Sequence, residues 1–279
     1  MTIIKNPLTI VQSGGGALDN YGTVTYLDNG VEKTVTLAHE DDFYELSVGG
    51  NGATIHINGI TLNKNDVKGI TVADGVQYLP DNFCLGCGFL NTVTLPGTIH
   101  YIGANVFSGA NLTSSLNLVS AKSIGPNFLQ HNSNFNHPLN MPNIEYIGSG
   151  FLFGCSNFNS SITLNDSLRV IEGNFMYGCT SFAQTFTIPS GLENLGSTSN
   201  PNPGTGFMRN CKEFTGPLVC NGPVSALLPT DNNSLSTAFA PPGAMYTTGV
   251  TLTGPYAQAW KDALPDRTSS PYRKLIVGS

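Results

Sequence analysis

The chain has 279 residues, only 11% of them charged, with a formal net charge of −6 and a pI near 5.2. An acidic balance with no basic stripe leaves nothing to displace counterions from a phosphate backbone, which excludes a nucleic-acid partner. No run approaches the roughly 18 apolar residues of a membrane span, and Met1–Leu8 lacks the apolar core and small-residue cleavage site of an export signal. The chain is therefore expected without a membrane partner, reaching its place of action by assembly or lysis.

Residues 1–20 carry Ile3, Ile4, Leu8, Ile10 and Val11 ahead of Gly14-Gly15-Gly16. Too short for a core of its own and tethered by a flexible glycine run, this arm is expected to order only against a partner. Its opening, Ile3 to Val11 followed by glycines, resembles the starts of bacteriophage virion proteins; a strand-like arm with no such meaning reads as well. Residues 21–69 read as a small β module. Thr23–Tyr26 and Thr34–Leu37 flank Asp28-Asn29-Gly30, and Asn-Gly between alternating runs predicts a hairpin. Phe43–Val48 alternates like a strand, and Gly49–Gly52 would turn it into a second strand at Ala53–Ile57. His39-Glu40-Asp41-Asp42 lie at consecutive positions that cannot face one point, so a solvated loop is expected there rather than a metal site. The module is placed to cover the open strand edge at the start of the next region.

Residues 70–220 are one unit written about six times. Apolar-x-apolar triplets occur at Ile70–Val72, Val93–Leu95, Leu116–Leu118, Leu139–Met141, Ile162–Leu164 and Phe186–Ile188, spaced by 23 residues with one step of 24, and a seventh is read at Pro217-Leu218-Val219. A fixed period of this length predicts a solenoid whose coils bury their apolar faces against one another. Within each copy come a second apolar pair (Ile102-Gly103, Ile124-Gly125, Ile147-Gly148), a bulky column (Phe83, Val106, Phe128, Phe151, Phe175, Phe207) and a small column (Cys87, Ala110, Asn132, Cys155, Cys179, Cys211). Four cysteines sharing a column with Ala and Asn read as buried core thiols, with disulfide or metal the alternative. Cys84 and Cys87 have CxxC spacing, but no second CxxC or His pair completes a zinc site.

Thr94-Leu95-Pro96, Ile99–Gly103 with Val106-Phe107, Ile144–Gly148 and Gly154–Phe158 resemble the BspA-like class of leucine-rich repeats. The resemblance covers residues 70 to about 220 and departs from the pattern where large residues replace its Ala and Asn132 its Cys. It implies a repeat solenoid, β-rich α+β, with coils of about 23 residues, and a binding or adhesive role with no catalytic residues, cofactor or metal. Residues 221–279 read as an irregular segment and then a cap: Gly249–Leu252 as a last strand, and a short helix from Pro255 in which Tyr256 and Trp260 share a face, like the strand-helix end of such arrays.

Recognition in a solenoid falls to outward positions. The candidates are Tyr78, Tyr101 and Tyr146 as a broken aromatic line, with His100, Lys122, Glu145 and Arg169 beside it, and the insertion at Ser197–Gly206 with Asn200 and Asn202. Aromatics flanked by hydrogen-bonding groups suit a sugar or protein ligand; ordinary covering of the core edge is the competing reading. The five histidines pair with no nucleophile in a recognisable motif, so no enzyme is expected. The combined expectation is a bacteriophage virion component (tail fibre, baseplate or head decoration), a homo-oligomer on the particle made in the host cytoplasm. Its arm would bind other virion proteins and its solenoid a host-surface glycan or protein; the alternative is a bacterial or protist cell-surface adhesin.

Overall fold

A computed structural model describes residues 18–196, 207–223, 250–263 and 275–278. The arm up to residue 17, most of the insertion with Asn200 and Asn202, and the stretch 224–249 lie outside the described residues.

The N-terminal module is built on two Asn-Gly turns. β1 (Gly22–Asp28) and β2 (Val31–Leu37) pair antiparallel across Asn29 and Gly30, whose φ of 52° and 80° are the positive values a tight hairpin turn needs. The segment expected as a strand at Phe43–Val48 is instead entered by a helix, α1 (Glu40–Glu45). His39–Asp42, expected as a solvated loop, is how that helix starts. Asp42 is buried, and its carboxylate accepts from His39 N (3.0 Å) and from Asn58 N across the module. Glu40, Asp41 and Asp42 also suit the positive end of the helix dipole. Without a strand at 43–48, β3 (Thr54–Ile57) pairs with β4 (Ile60–Asn63) through a second turn at Asn58-Gly59, φ 46° and 77°. β5 (Val67–Val72) then joins the module to the repeats, pairing antiparallel with β1 and parallel with Thr92–Thr94. The hairpin thus lies along the first strand of the stack.

The repeats form a β-solenoid of about seven turns. Its continuous sheet is made one residue earlier than the second apolar pair of each copy, by that pair's first residue and the one before it. Tyr78–Leu79, Tyr101–Ile102, Ser123–Ile124, Tyr146–Ile147, Val170–Ile171 and Asn194–Leu195 stack as six parallel two-residue strands. The triplet column is interrupted. Ile70 pairs with Val93 and Leu139 with Ile162, but Leu116–Leu118 is no strand, and Val93 N donates to Ser114 Oγ (2.9 Å) where a ladder carbonyl would serve. The last triplet is shifted by one residue from its expected place. Phe186, Thr187 and Ile188 pair with Leu218, Val219 and Cys220, because Leu218 and Cys220 are the buried pair and Pro217 is exposed.

Inside, each column is a stack of like on like. Phe128, Phe151, Phe175 and Phe207 are 5.5, 5.1 and 5.3 Å apart, and Phe135, Phe158, Phe182 and Phe214 are 6.1, 5.9 and 5.7 Å apart. All are buried, and each contributes about 2–3 kcal/mol by leaving water. Phe43 of α1 continues the first column beyond the coils, 4.7 Å from Phe83. The six cysteines are free and buried. Cys155, Cys179 and Cys211 donate to the carbonyls of Leu129 (3.0 Å), Leu152 (3.2 Å) and Met176 (3.1 Å) in the preceding coil. That explains Asn132 in a cysteine column: its Nδ2 donates to Phe107 O (2.7 Å), the same carbonyl one coil earlier. Asn82, Asn105 and Asn127 form a side-chain ladder at positive φ, a conformation Asn tolerates better than most residues. Gly150 takes the next rung, where a Cβ would sit 2.6 Å from Asn127 Oδ1.

At the far end the expected strand and short helix are both present, and a further strand follows them. Val250–Thr253 pairs parallel with Leu218–Val219, but it is not last: Leu275–Val277 adds outside it. Helix α2 (Ala257–Ala263) lies between the two in sequence. Trp260 is fully buried and donates from Nε1 to Gly222 O (2.9 Å), whereas Tyr256 precedes the helix and is 40% exposed, so the two do not cover the edge together.

Candidate binding surface

Parallel register fixes what each coil shows to solvent. In the six-stranded sheet Tyr78 faces Tyr101, Tyr101 faces Ser123 and Ser123 faces Tyr146, so the predicted line exists with one gap. Its members are not equally available. Tyr78 is 6% exposed, and burial together with the Asp81 charge pushes its hydroxyl up to about 12. It is part of the core, not of an open surface. Tyr146 is half-buried and its hydroxyl donates to Glu172 Oε1 (2.7 Å); burial and that contact both raise its pKa. Tyr101 is half-exposed, with the His100 ring 6.4 Å away.

The flanking file runs His100, Lys122, Glu145, Arg169 and Glu193; from Lys122 on, each N–H donates to the carbonyl of the residue before it in that series, and His100 N donates to Gln77 O. Lys122 and Glu145 are exposed. Arg169 is engaged in its own fold: Nη1 donates to Asp166 O (2.9 Å) and Gly191 O (2.7 Å), and Nε lies 3.5 Å from a carboxylate oxygen of Glu193. The residues brought together and open to a ligand are therefore His100, Tyr101, Lys122 and Glu145, with Tyr146 and Arg169 forming a fixed border.

Sequence reasoning missed a second file. The middle residue of each of the first six triplets, Thr71, Thr94, Asn117, Asn140, Thr163 and Thr187, is exposed, while its neighbours are buried, Leu164 only in part. These coils so present short uncharged donor-acceptor side chains, at the strand spacing of about 4.8 Å where neighbouring triplets pair, as Thr71 with Thr94 and Asn140 with Thr163. The signal lay in the triplets themselves, because period-two alternation sends every middle residue outward. A depression of about 180 Å³ lined by Tyr26, Asp28, Thr61, Asn63 and Asp66 falls short of the roughly 300 Å³ at which ligand pockets begin.

The family description "BspA type Leucine rich repeat region (6 copies)" matches residues 56–160 and 122–200, which overlap and together cover more than half of the chain. The chain belongs to this family. The BspA-type match begins within β3 of the N-terminal module and ends at the insertion, so it takes in both outward files. No curated protein matches the chain.

Proposed function

We propose that this BspA-type solenoid is a non-catalytic adhesion module that recognises a neutral, hydrogen-bonding surface such as a host glycan or a protein face. The observation that carries the reading is the uncharged file from Thr71 to Thr187, one exposed hydroxyl or amide per coil on a rigid stack. Short side chains on fixed strands lose little entropy on binding, and repetition lets weak contacts add. Tyr101 with His100 supplies an amphipathic contact of the kind that dominates binding energy. We further propose that the module acts on a bacteriophage particle, held to other virion proteins through residues 1–20, in several copies. The support for this is the opening Ile3–Val11 with its glycine run.

Adsorption of the full chain to host cells and to purified cell-wall glycan tests the adhesive reading. Asn117→Ala with Asn140→Ala, and separately His100→Ala with Tyr101→Ala, should weaken adsorption while melting stays within a degree or two of the parent. Equal adsorption by both double variants would remove the solenoid faces from recognition. Peptide mass spectrometry of purified particles tests the virion role: the chain should co-purify, and its recovery from the cell surface alone would refute it.

A further inference from the structure

Repetition supplies an internal control for every position, and one position fails it. The residue three before the small column is large and apolar in five described coils, Phe107, Leu129, Leu152, Met176 and Met208, and is Cys84 in the first. The CxxC pair Cys84 and Cys87 arises there and in no other described coil. The hydrogen bonding differs too. Cys155, Cys179 and Cys211 donate to carbonyls of the coil before them, but the first coil has no coil before it, and the side chains of Cys84 and Cys87 bond each other. Cys87 N donates to Cys84 O (3.2 Å), a turn that holds the two Cα atoms within about 7 Å, inside the reach of a disulfide.

A second anomaly sits on the same spot. Lys64, delivered by the turn Lys64–Asp66 after β4, is fully buried. Its Nζ donates to Gly49 O (3.1 Å) and to Leu85 O (3.4 Å), the latter inside the CxxC turn, and among the described residues it has no salt bridge. A buried ammonium without a carboxylate is costly, and its charge reaches both sulfurs. The bond from Cys84 lowers the pKa of Cys87, against its burial and with help from Lys64, while burial raises that of Cys84. Over the pair lies the loop Gly49–Gly52, largely exposed, whose backbone packs on Gly86 so closely that a Cβ there would be 2.5 Å from Asn51 N.

We propose that Cys84 and Cys87 are a redox-modification site, a dithiol that closes to a disulfide in the folded chain, with Lys64 as the cation that steadies the attacking sulfur. The oxidant is a low-molecular-weight disulfide admitted when the Gly49–Gly52 loop lifts. The Cys87 thiolate attacks one sulfur, the external S–S bond breaks, and the first thiolate leaves and takes the Cys84 proton. The Cys84 thiolate then attacks the Cys87 sulfur and expels the second thiol fragment. One internal disulfide and two external thiols result, and the dithiol's two hydrogens end on those thiols.

The test uses the reduced full chain, folded, incubated with oxidised glutathione, then quenched and alkylated under denaturing conditions for peptide mass mapping. The expected result is that the peptide holding Cys84 and Cys87 loses two hydrogens and resists alkylation, while Cys155, Cys179, Cys211 and Cys220 are alkylated. Cys84→Leu, the residue found at 129 and 152, should keep the fold and trap glutathione on Cys87. Lys64→Met should slow closure, because the cation that favours the Cys87 thiolate is gone. If Cys84 and Cys87 stay as reduced as the other four, or all six oxidise together, the site is overturned. Closure at the parental rate in Lys64→Met would overturn the role of the cation, and the Cys84→Leu arm decides the dithiol independently.

Discussion

The middle coils and the first coil solve the same packing problem with different neighbours. Between about residue 95 and residue 190 every coil rests on copies of itself: Phe151 lies between Phe128 and Phe175, and Cys179 donates to the carbonyl that Asn132 addresses two coils earlier. The first coil rests on the cap. Phe83 meets Phe43, Cys84 N donates to Leu46 O (2.9 Å), and Tyr78, aligned with the half-exposed Tyr101, is covered. A self-stacking coil can keep one pattern, because each column supplies its own complement. A terminal coil must complement something that does not repeat, and that is where the pattern breaks and where Lys64 and the CxxC pair collect.

The largest effect should come from breaking the self-stack. Phe151→Ala opens a cavity between two rings and is expected to cost about 3–5 kcal/mol. In urea, followed by fluorescence and circular dichroism together, the two halves of the solenoid should separate into distinct transitions. Next comes the cysteine column. Asn132→Ala removes the side-chain donor to the Phe107 carbonyl, which keeps only the Ala110 N–H, and leaves Leu112 N without its acceptor (3.2 Å), at about 1–3 kcal/mol, whereas Asn132→Cys restores the side-chain donor and should cost measurably less. On the cap side, Asp42→Ala removes the acceptor shared by His39 N and Asn58 N and should cost about 1 kcal/mol. Its effect on hydrogen exchange should be confined to residues 39–63, leaving the middle coils protected. An equal loss of protection in coils beyond residue 120 would show that cap and stack are not separable in this way.

Alkaline titration sharpens the same contrast. Tyr78 holds its proton up to about 12 when folded, while an unfolded tyrosine ionises near 10. Its contribution is fully present below pH 10 and falls away as pH rises toward 12, since the unfolded state sheds the proton first. Tyr78→Phe should flatten the loss of stability across that window, measured by urea unfolding at successive pH values. The smallest stability effect is expected of Tyr101→Ala, under roughly 0.5 kcal/mol as for an ordinary surface site.

The repeat, its register and the buried columns were legible because period and alternation are local properties that every copy restates. What could not be read depends on contacts between unlike elements. Phe43–Val48 alternates like a strand, yet Asp42 capping across to Asn58 and the seat above Phe83 make Glu40–Glu45 a helix. Tyr78 is equivalent to Tyr101 in the repeat, yet it stands in the end strand of the six-stranded sheet, with Tyr44 of the N-terminal module nearby, and is buried. The last triplet pairs as Leu218-Val219-Cys220, one residue from its expected place, since the insertion before it removes the spacing that fixed the other triplets. The Asn58-Gly59 turn could have been found, as it carries the same dipeptide as Asn29-Gly30. The uncharged file needed only the triplets already in hand.

Function on rigid outward files rather than in a cavity is the central claim, and a column-resolved binding scan tests it most directly. Single substitutions Thr94→Ala, Asn117→Ala, Asn140→Ala, Thr163→Ala and Tyr101→Ala, each with its melting temperature, are measured for affinity to purified cell-wall glycan. The claim predicts losses that cluster on consecutive coils, with Tyr101→Ala costing about 2 kcal/mol or more of binding and no variant changing melting by more than a degree or two. Unchanged binding across all five variants, with loss appearing only when the lining of the small depression at Asp28 and Asp66 is altered, would contradict it.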